Sequence, residues 1–275
     1  MSRLSRWLRS RRTPPVPTTP YEHLRDAPRF EVRTEELCGE PFQIPDGHTF
    51  YYSYREIFLD ELYRFEARNA APLIIDGGAN CGLSVVYFKR LYPNARVIAV
   101  EPDPQIFALL EQNVSHLRLT DVTLVNKALA AGGSTVAFHR EGANAGRIHP
   151  LDDAVERCTV PVVTLDELLD EPVELLKLDI EGAESAVICA SRRLAAVSQF
   201  MVEYHSFADA PQSLPKLLNK LAESGCRYRL QTQLCPRRPL VDDSCHLGMD
   251  LQLNIFAKRT RTSASADGEE RPLAA

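Results

Sequence analysis

The stretch Leu73-Ile74-Ile75-Asp76-Gly77-Gly78-Ala79-Asn80-Cys81-Gly82 decides the fold. A short apolar run ends on an acid, passes into a glycine-rich turn, and is followed from Leu83 to Leu91 by helical spacing. That is a strand, a tight turn and a helix, and the unit recurs downstream. Arg96 to Val100 reads as a strand ending at Glu101, and Pro104 opens a helix that reaches His116. Proline suits a first helical turn because its missing N–H has no partner there. Val122 to Val125 ends at Asn126, Leu175 to Ile180 carries Asp179 at its end, and Phe200 to Tyr204 leads into His205. Helical spacing follows at Ala183, Val187, Ile188 and Leu194 and again from Leu214 to Ala222. Strands near Tyr228–Gln233 and Leu251–Ala257 close the pattern without a clear helix between them. The alternation predicts an α/β, Rossmann-like fold: a mostly parallel sheet with helices on both faces and an antiparallel edge.

Outward from this core, residues 71–258 form the main domain, interrupted by an insertion at 132–163 whose segments 134–139 and 159–163 have the character of an edge ribbon. Residues 21–70 form a preface or cap, with a strand pair expected over Phe42–Tyr52, turning at Asp46-Gly47, and helical spacing over Glu56–Phe65. Residues 1–20, basic and proline-rich, and 259–275, aperiodic, are expected to be disordered tails. Leu4, Trp7 and Leu8 among arginines offer at most a weak contact with an anionic membrane surface. No apolar run reaches the roughly 18 residues of a spanning helix. The chain has 275 residues and a net charge of -5, ordinary for a globular protein and contrary to a nucleic-acid partner. Seven scattered cysteines without a secretory signal point to reduced thiols and a cytoplasmic location.

In an open parallel sheet, ligands bind beyond the carboxyl ends of the strands. Asp76, Glu101, Asn126, Asp179 with Glu181, and Glu203 with His205 all fall at such ends. Each alone is explained by capping of the next helix, and the case rests on their recurrence at one edge. The turn at 76–82 is neither G-x-G-x-x-G nor G-x-x-x-x-G-K-[ST], so neither the dinucleotide nor the Walker phosphate fingerprint is met. Glu101 can accept hydrogen bonds from vicinal ribose hydroxyls. A nucleoside without phosphates, facing acids, points to S-adenosylmethionine, whose sulfonium is cationic.

Six blocks carry a resemblance: Asp-Gly-Gly-Ala-Asn-Cys-Gly (76–82), Val-Glu-Pro-Asp-Pro (100–104), Asn-Lys-Ala-Leu (126–129), Thr-Leu-Asp-Glu-Leu (164–168), Leu-Lys-Leu-Asp-Ile-Glu-Gly-Ala-Glu (176–184) and Val-Glu-Tyr-His (202–205). In order and spacing they resemble the FkbM-type methyltransferases over about residues 50–257. Gly77 departs from the pattern, which often has an apolar residue there. The resemblance implies a class I methyltransferase fold with a seven-stranded sheet and methyl transfer from S-adenosylmethionine, usually to an oxygen of a sugar, polyketide or other secondary metabolite. It assigns Asp76, Gly78, Asn80 and Gly82 to the methionine side of the cofactor, Glu101 to the ribose, Asn126 to the adenine and Asp179 to the methyl group and substrate.

A neutral alcohol is a poor nucleophile, so a base or a metal should help remove its proton. His205, Asp179 and Glu203 are the candidates, with His205 the first choice as base because its ordinary pKa lies near neutrality. A plain hydrogen-bonded histidine at a strand end is the competing reading. Asp179, Glu181, Glu203 and His205 could also surround a divalent cation. With no diagnostic ligand spacing, the site is read without a metal. Cys81 is read as filling a small buried space rather than as a reactive thiol. A small-molecule or glycan acceptor is expected, with His139, Arg140, Asn144, Arg147 and His149 of the insertion as polar groups that could meet it. The rival readings are an NAD-dependent oxidoreductase on a related fold, and a non-catalytic homologue that kept the cofactor.

Overall fold

The computed structural model describes residues 19–140, 146 and 156–259. The expectations placed on Asn144, Arg147, His149 and nearly all of the two tails lie outside these residues. The preface begins with a hairpin of β1 (Arg33–Leu37) and β2 (Glu40–Ile44), paired antiparallel. It turns at Cys38-Gly39, both in the left-handed region at φ 57° and 84°. The expected strand pair turning at Asp46-Gly47 is therefore corrected. Asp46 is instead the N-cap of α1 (Gly47–Tyr54), its carboxylate accepting from the Thr49 amide at 2.7 Å. Its other oxygen accepts from the Phe30 amide and from Arg29 Nε. The helix runs on into a π turn, Arg55–Leu59, so the helical spacing read over 56–65 is realised only in its first part.

The alternating body follows: β3 (Leu73–Gly77), α2 (Leu83–Leu91), β4 (Arg96–Val100), α3 (Pro104–His116), β5 (Val122–Val125), β6 (Ala128–Leu129), β7 (Thr135–Arg140), β8 (Glu156–Val163), α4 (Leu165–Leu168), β9 (Val173–Leu178), α5 (Glu184–Ala190), β10 (Val197–Phe207), α6 (Leu214–Glu223), β11 (Cys226–Leu234) and β12 (Met249–Arg259). The main sheet has seven strands in the order β11-β12-β10-β9-β3-β4-β5. The strands from β10 through β5 run parallel, while β12 pairs antiparallel with both β10 and β11. The insertion does not extend this sheet. Its two strands, β7 and β8, join β6 in a separate three-stranded sheet of order β6-β8-β7, while β5 pairs only with β4.

Side chains alternate across a strand, and the core divides accordingly. Ile74, Val97 and Ala99 join Val85, Phe88 and Leu110 on one face. The same cluster takes in Phe42, Ile44, Phe50, Tyr51, Ile57 and Tyr63, so the preface shares the core of the body. Leu73, Ile75, Leu176 and Leu178 join Val187, Ile188, Leu217 and Leu221 on the other face. Each such fully buried aliphatic side chain contributes roughly 1.5–3 kcal/mol. This two-sided burial is why these strands read as continuous apolar runs. Chain order reverses between β3 and β9: from β3 the sheet grows through β4 to β5, and from β9 through β10. The turns after β3 and β9 therefore open a crevice at the carboxyl edge.

Candidate active site

The crevice is built on the glycine-rich turn. Gly78, Asn80 and Gly82 all have positive φ, at 76°, 50° and 94°. A Cβ at Gly78 would stand 1.8 Å from the Asp179 carbonyl oxygen, so the turns after β3 and β9 touch through backbone alone. Gly77 is also explained by crowding: its Cβ would meet Leu129 and Leu178 side chains at 2.6 and 2.7 Å. Two cavities flank this contact. The first, of about 670 Å³ with its open mouth, is walled by Val100, Pro102, Ile106, Leu129 and Phe138 and carries Glu101, Asp103, Asp179 and Glu181. The second, of about 510 Å³, lies under the preface and is lined by Asp46, Thr49, Ser53, Tyr63, Ser84 and Lys177 among others. Gly78, Asn80 and Asp179 line both.

Glu101 is buried, its carboxylate accepting from the Asn80 amide at 3.0 Å and the Asp103 amide at 2.9 Å. Burial pushes its pKa up to about 7, against the pull of those two amides. Asn126 donates through Nδ2 to the carbonyls of Glu101 and Pro102, at 2.9 and 3.2 Å. It fixes the loop that presents Glu101 and does not line the described cavity. Asp76 and Gly82 also stand behind the crevice rather than on its wall. Asp76 is fully buried, accepts from the Ser84 hydroxyl at 2.5 Å and pairs with Lys177 Nζ at 3.2 Å.

Lys177 is a residue that sequence reasoning quoted without giving it a role. It is buried near the carboxyl end of β9 and donates to the Gly78 carbonyl at 2.7 Å. Burial opposes its charge, but Asp76 and Asp179 outweigh that and raise its pKa. The available signal was a lysine inside Val173-Glu174-Leu175-Leu176-Lys177-Leu178, since a cation in a strand buried on both faces requires a partner.

The turn after β9 holds the second group. Glu184 is fully buried, and its Oε1 accepts from the amides of Ile180 and Gly182 at 3.1 and 3.0 Å and from His205 Nδ1 at 3.0 Å. His205 Nε2 lies 3.6 Å from Glu181, 3.9 Å from Asp179 and 4.0 Å from Glu203. Gln252 stands between His205 and Glu203. Burial opposes charging the imidazole, but Glu181 and Glu184 outweigh it and hold its pKa well above the ordinary range. His205 thus sits enclosed by carboxylates on both ring nitrogens, and it lines neither cavity. Glu203 is pushed up to about 8, by burial and then by Asp179. Of the three catalytic candidates, only Asp179 lines the cavities. Asp179, Glu181 and His205 also offer ligand atoms within 4.8 Å of one another, a grouping that a metal ion could share.

Two further expectations are resolved nearby. Cys81 is buried, and burial pushes its thiol up to about 12, so it fills space. Arg140 does not face open solvent: it pairs with Asp103 and Glu156, each at 2.9 Å, and ties the insertion to the N-cap of α3.

The sheet order and the crevice at its reversal define a Rossmann-like α/β fold with a ligand site at its carboxyl edge. The chain matches the Methyltransferase FkbM domain over residues 76–230, and it belongs to that family of S-adenosylmethionine-dependent methyltransferases. Methyltransferase sdnD of Sordaria araneosa is 41% identical over 176 residues, spanning 50% of this chain and 67% of that protein. The 31-O-demethyl-FK506 methyltransferase FkbM of Streptomyces tacrolimicus is 25% identical over 193 residues, 54% of this chain and 74% of its own. A solved structure, Methyltransferase FkbM from Methylobacillus flagellatus KT, is 18% identical with a TM-score of 0.46, covering 76% of this chain and 51% of that one.

The first cavity fits the cofactor by the chemistry of its lining. Among its described lining residues there is no lysine or arginine and four are acidic, a lining that disfavours a polyanion and suits a cationic ligand. The Glu101 carboxylate keeps lone pairs beyond those used by its two amide donors, and apolar walls flank it.

Proposed function

We propose that this enzyme methylates a hydroxyl oxygen of a small acceptor: a sugar, a polyketide or another secondary metabolite. The observation that carries the reading is the position of Asp179, which faces both cavities where the two turns meet. S-adenosylmethionine, when bound, would supply an electrophilic methyl group with a neutral thioether as its leaving group. The chain does the rest. Glu101 would accept from the ribose diol, and Ile106, Leu129 and Phe138, on the same cavity wall, would cover the base. Gly78 and Asn80 let the ligand cross to the second cavity over backbone. Asp179 holds the acceptor hydroxyl and receives its proton as the oxygen–carbon bond forms and the carbon–sulfur bond breaks. Alignment of this kind supplies much of the acceleration in a displacement. The similar 31-O-demethyl-FK506 methyltransferase of Streptomyces tacrolimicus, whose name denotes an oxygen acceptor, supports the choice of atom.

The test is labelled-methyl transfer from S-adenosylmethionine to a panel of glycosides and polyketides, with mass spectrometry of the products. Asp179→Asn is expected to lower kcat at least 100-fold, the scale of a lost acid–base group, while S-adenosylhomocysteine still binds within about threefold. Methylation on nitrogen or carbon, or unchanged turnover in the variant, would overturn the reading.

A further inference from the structure

We propose that Asp179, Glu181 and His205 form a divalent-cation site at the mouth of the crevice, where the cation positions the acceptor oxygen. The role given to the cation rests on the proposed transfer to oxygen; its binding does not. The three side chains come from two neighbouring strand ends, β9 and β10, and their ligand atoms all lie within 4.8 Å of one another. A cation about 2.1 Å from each atom holds adjacent ligands roughly 3 Å apart and opposite ones roughly 4.2 Å apart. The separations of 3.6 and 3.9 Å from His205 Nε2 to Glu181 and Asp179 need only a small contraction.

A second observation points the same way. The His205 side chain is 2% exposed, and its Nδ1 is committed to Glu184 at 3.0 Å. That bond leaves Nε2 as the ring atom aimed into the cluster, with Gln252 Nε2 at 3.4 Å. A carboxylate behind a histidine, fixing its tautomer and presenting the other nitrogen, is the usual support of a metal-bound imidazole. Glu184 also accepts from the amides of Ile180 and Gly182, so it sets the ring and the loop bearing Asp179 and Glu181 as one unit. Around the single imidazole stand the carboxylates of Asp179, Glu181, Glu184 and Glu203. A divalent ion balances that excess better than one imidazolium does. One nitrogen and two carboxylates suit Mn²⁺ or Mg²⁺, which keep water ligands that an acceptor hydroxyl can replace. Asp179 lines both cavities and Glu181 the first, so such an ion lies where the acceptor must meet the methyl group.

The test is titration of the full chain, stripped with EDTA, with MnCl₂ while the six-line resonance of free Mn²⁺ is followed. Loss of signal equivalent to one ion per chain is expected, reversed by excess MgCl₂. Glu181→Gln and His205→Ala should each weaken Mn²⁺ binding at least tenfold. S-adenosylhomocysteine binding by His205→Ala reports whether that variant has folded, and Glu181→Gln provides the milder substitution should it fail. An unchanged Mn²⁺ signal up to millimolar protein, or equal binding by Glu181→Gln, would overturn the site and leave the imidazolium as the resident cation. The two proposals separate cleanly. Methylation of a hydroxyl that survives EDTA in a chain without Mn²⁺ affinity sinks the site alone. Stoichiometric Mn²⁺ binding without oxygen methylation sinks the function alone.

Discussion

Glu101 sets a pH dependence on cofactor binding. Its pKa is raised to about 7, above the ordinary 4.5. The stability it contributes through its protonated form is therefore fully present below 4.5 and is lost as pH rises through 7. A ribose diol donates to the ionised form, so binding should tighten as pH rises through the same point. Calorimetry with S-adenosylhomocysteine is expected to show up to about tenfold weaker binding per unit below pH 7. In Glu101→Gln the affinity should be lower and flat with pH. Lys177 and Asp76 make a second residue-scale case. Lys177→Met leaves Asp76 buried beside Ser84 without its cation and should cost about 3–5 kcal/mol in urea unfolding. The double variant with Asp76→Asn should lose clearly less than the sum of the two singles. That pairing is not legible in the chain, where 76 and 177 are 101 positions apart. The chemistry of each residue was legible; the partner was not.

At the scale of elements, strand and helix bounds were legible wherever period and caps agreed. Leu83–Leu91, Arg96–Val100, Pro104–His116 and Val122–Val125 fall where their spacing places them. The preface failed for a physical reason. Asp46-Gly47 fits a hairpin turn, but it equally fits an N-cap followed by the first helical residue. Burial of Phe50, Tyr51 and Tyr54 against the Phe42 strand decided for the helix. Asp46→Ala removes the acceptor of the Thr49 and Phe30 amides and should lower stability by about 2 kcal/mol. Thermal unfolding checks it, and the second cavity, which Asp46 lines, should become accessible to protease at the preface. In the turn after β3, Gly78→Ala meets both a left-handed φ and the Asp179 carbonyl. Loss of S-adenosylhomocysteine affinity is expected together with a fall in Tm, since the backbone of both turns must move.

For the whole molecule, the reversal of strand order at β3 and β9 brings Asn80, Glu101 and Asp179 to one crevice. The lining separates the cofactor classes. S-adenosylhomocysteine should raise Tm by several degrees at 100 times its Kd, equivalent to about 2.7 kcal/mol, whereas NAD should leave it unchanged. An NAD-induced shift would restore the dinucleotide reading that Glu101 alone permits. Among the described residues, no helix is long and apolar enough to cross a membrane. The β11–β12 hairpin springs from the same end of the sheet as the crevice and exposes Leu240, Val241 and Leu247 between its strands.

The sequence by itself determined the alternation, the parallel sheet and the acids at its strand ends, because period, glycine placement and polarity are local properties of a chain. It also supplied the six blocks that mark the family. Only the tertiary structure decided which of those acids line the crevice. Asp76 turned inward to neutralise Lys177, Asn126 turned back to brace a loop, and His205 became enclosed by carboxylates from two strands. Charge and burial act through space, so a side chain's protonation and partners are fixed by neighbours that the order of residues does not name.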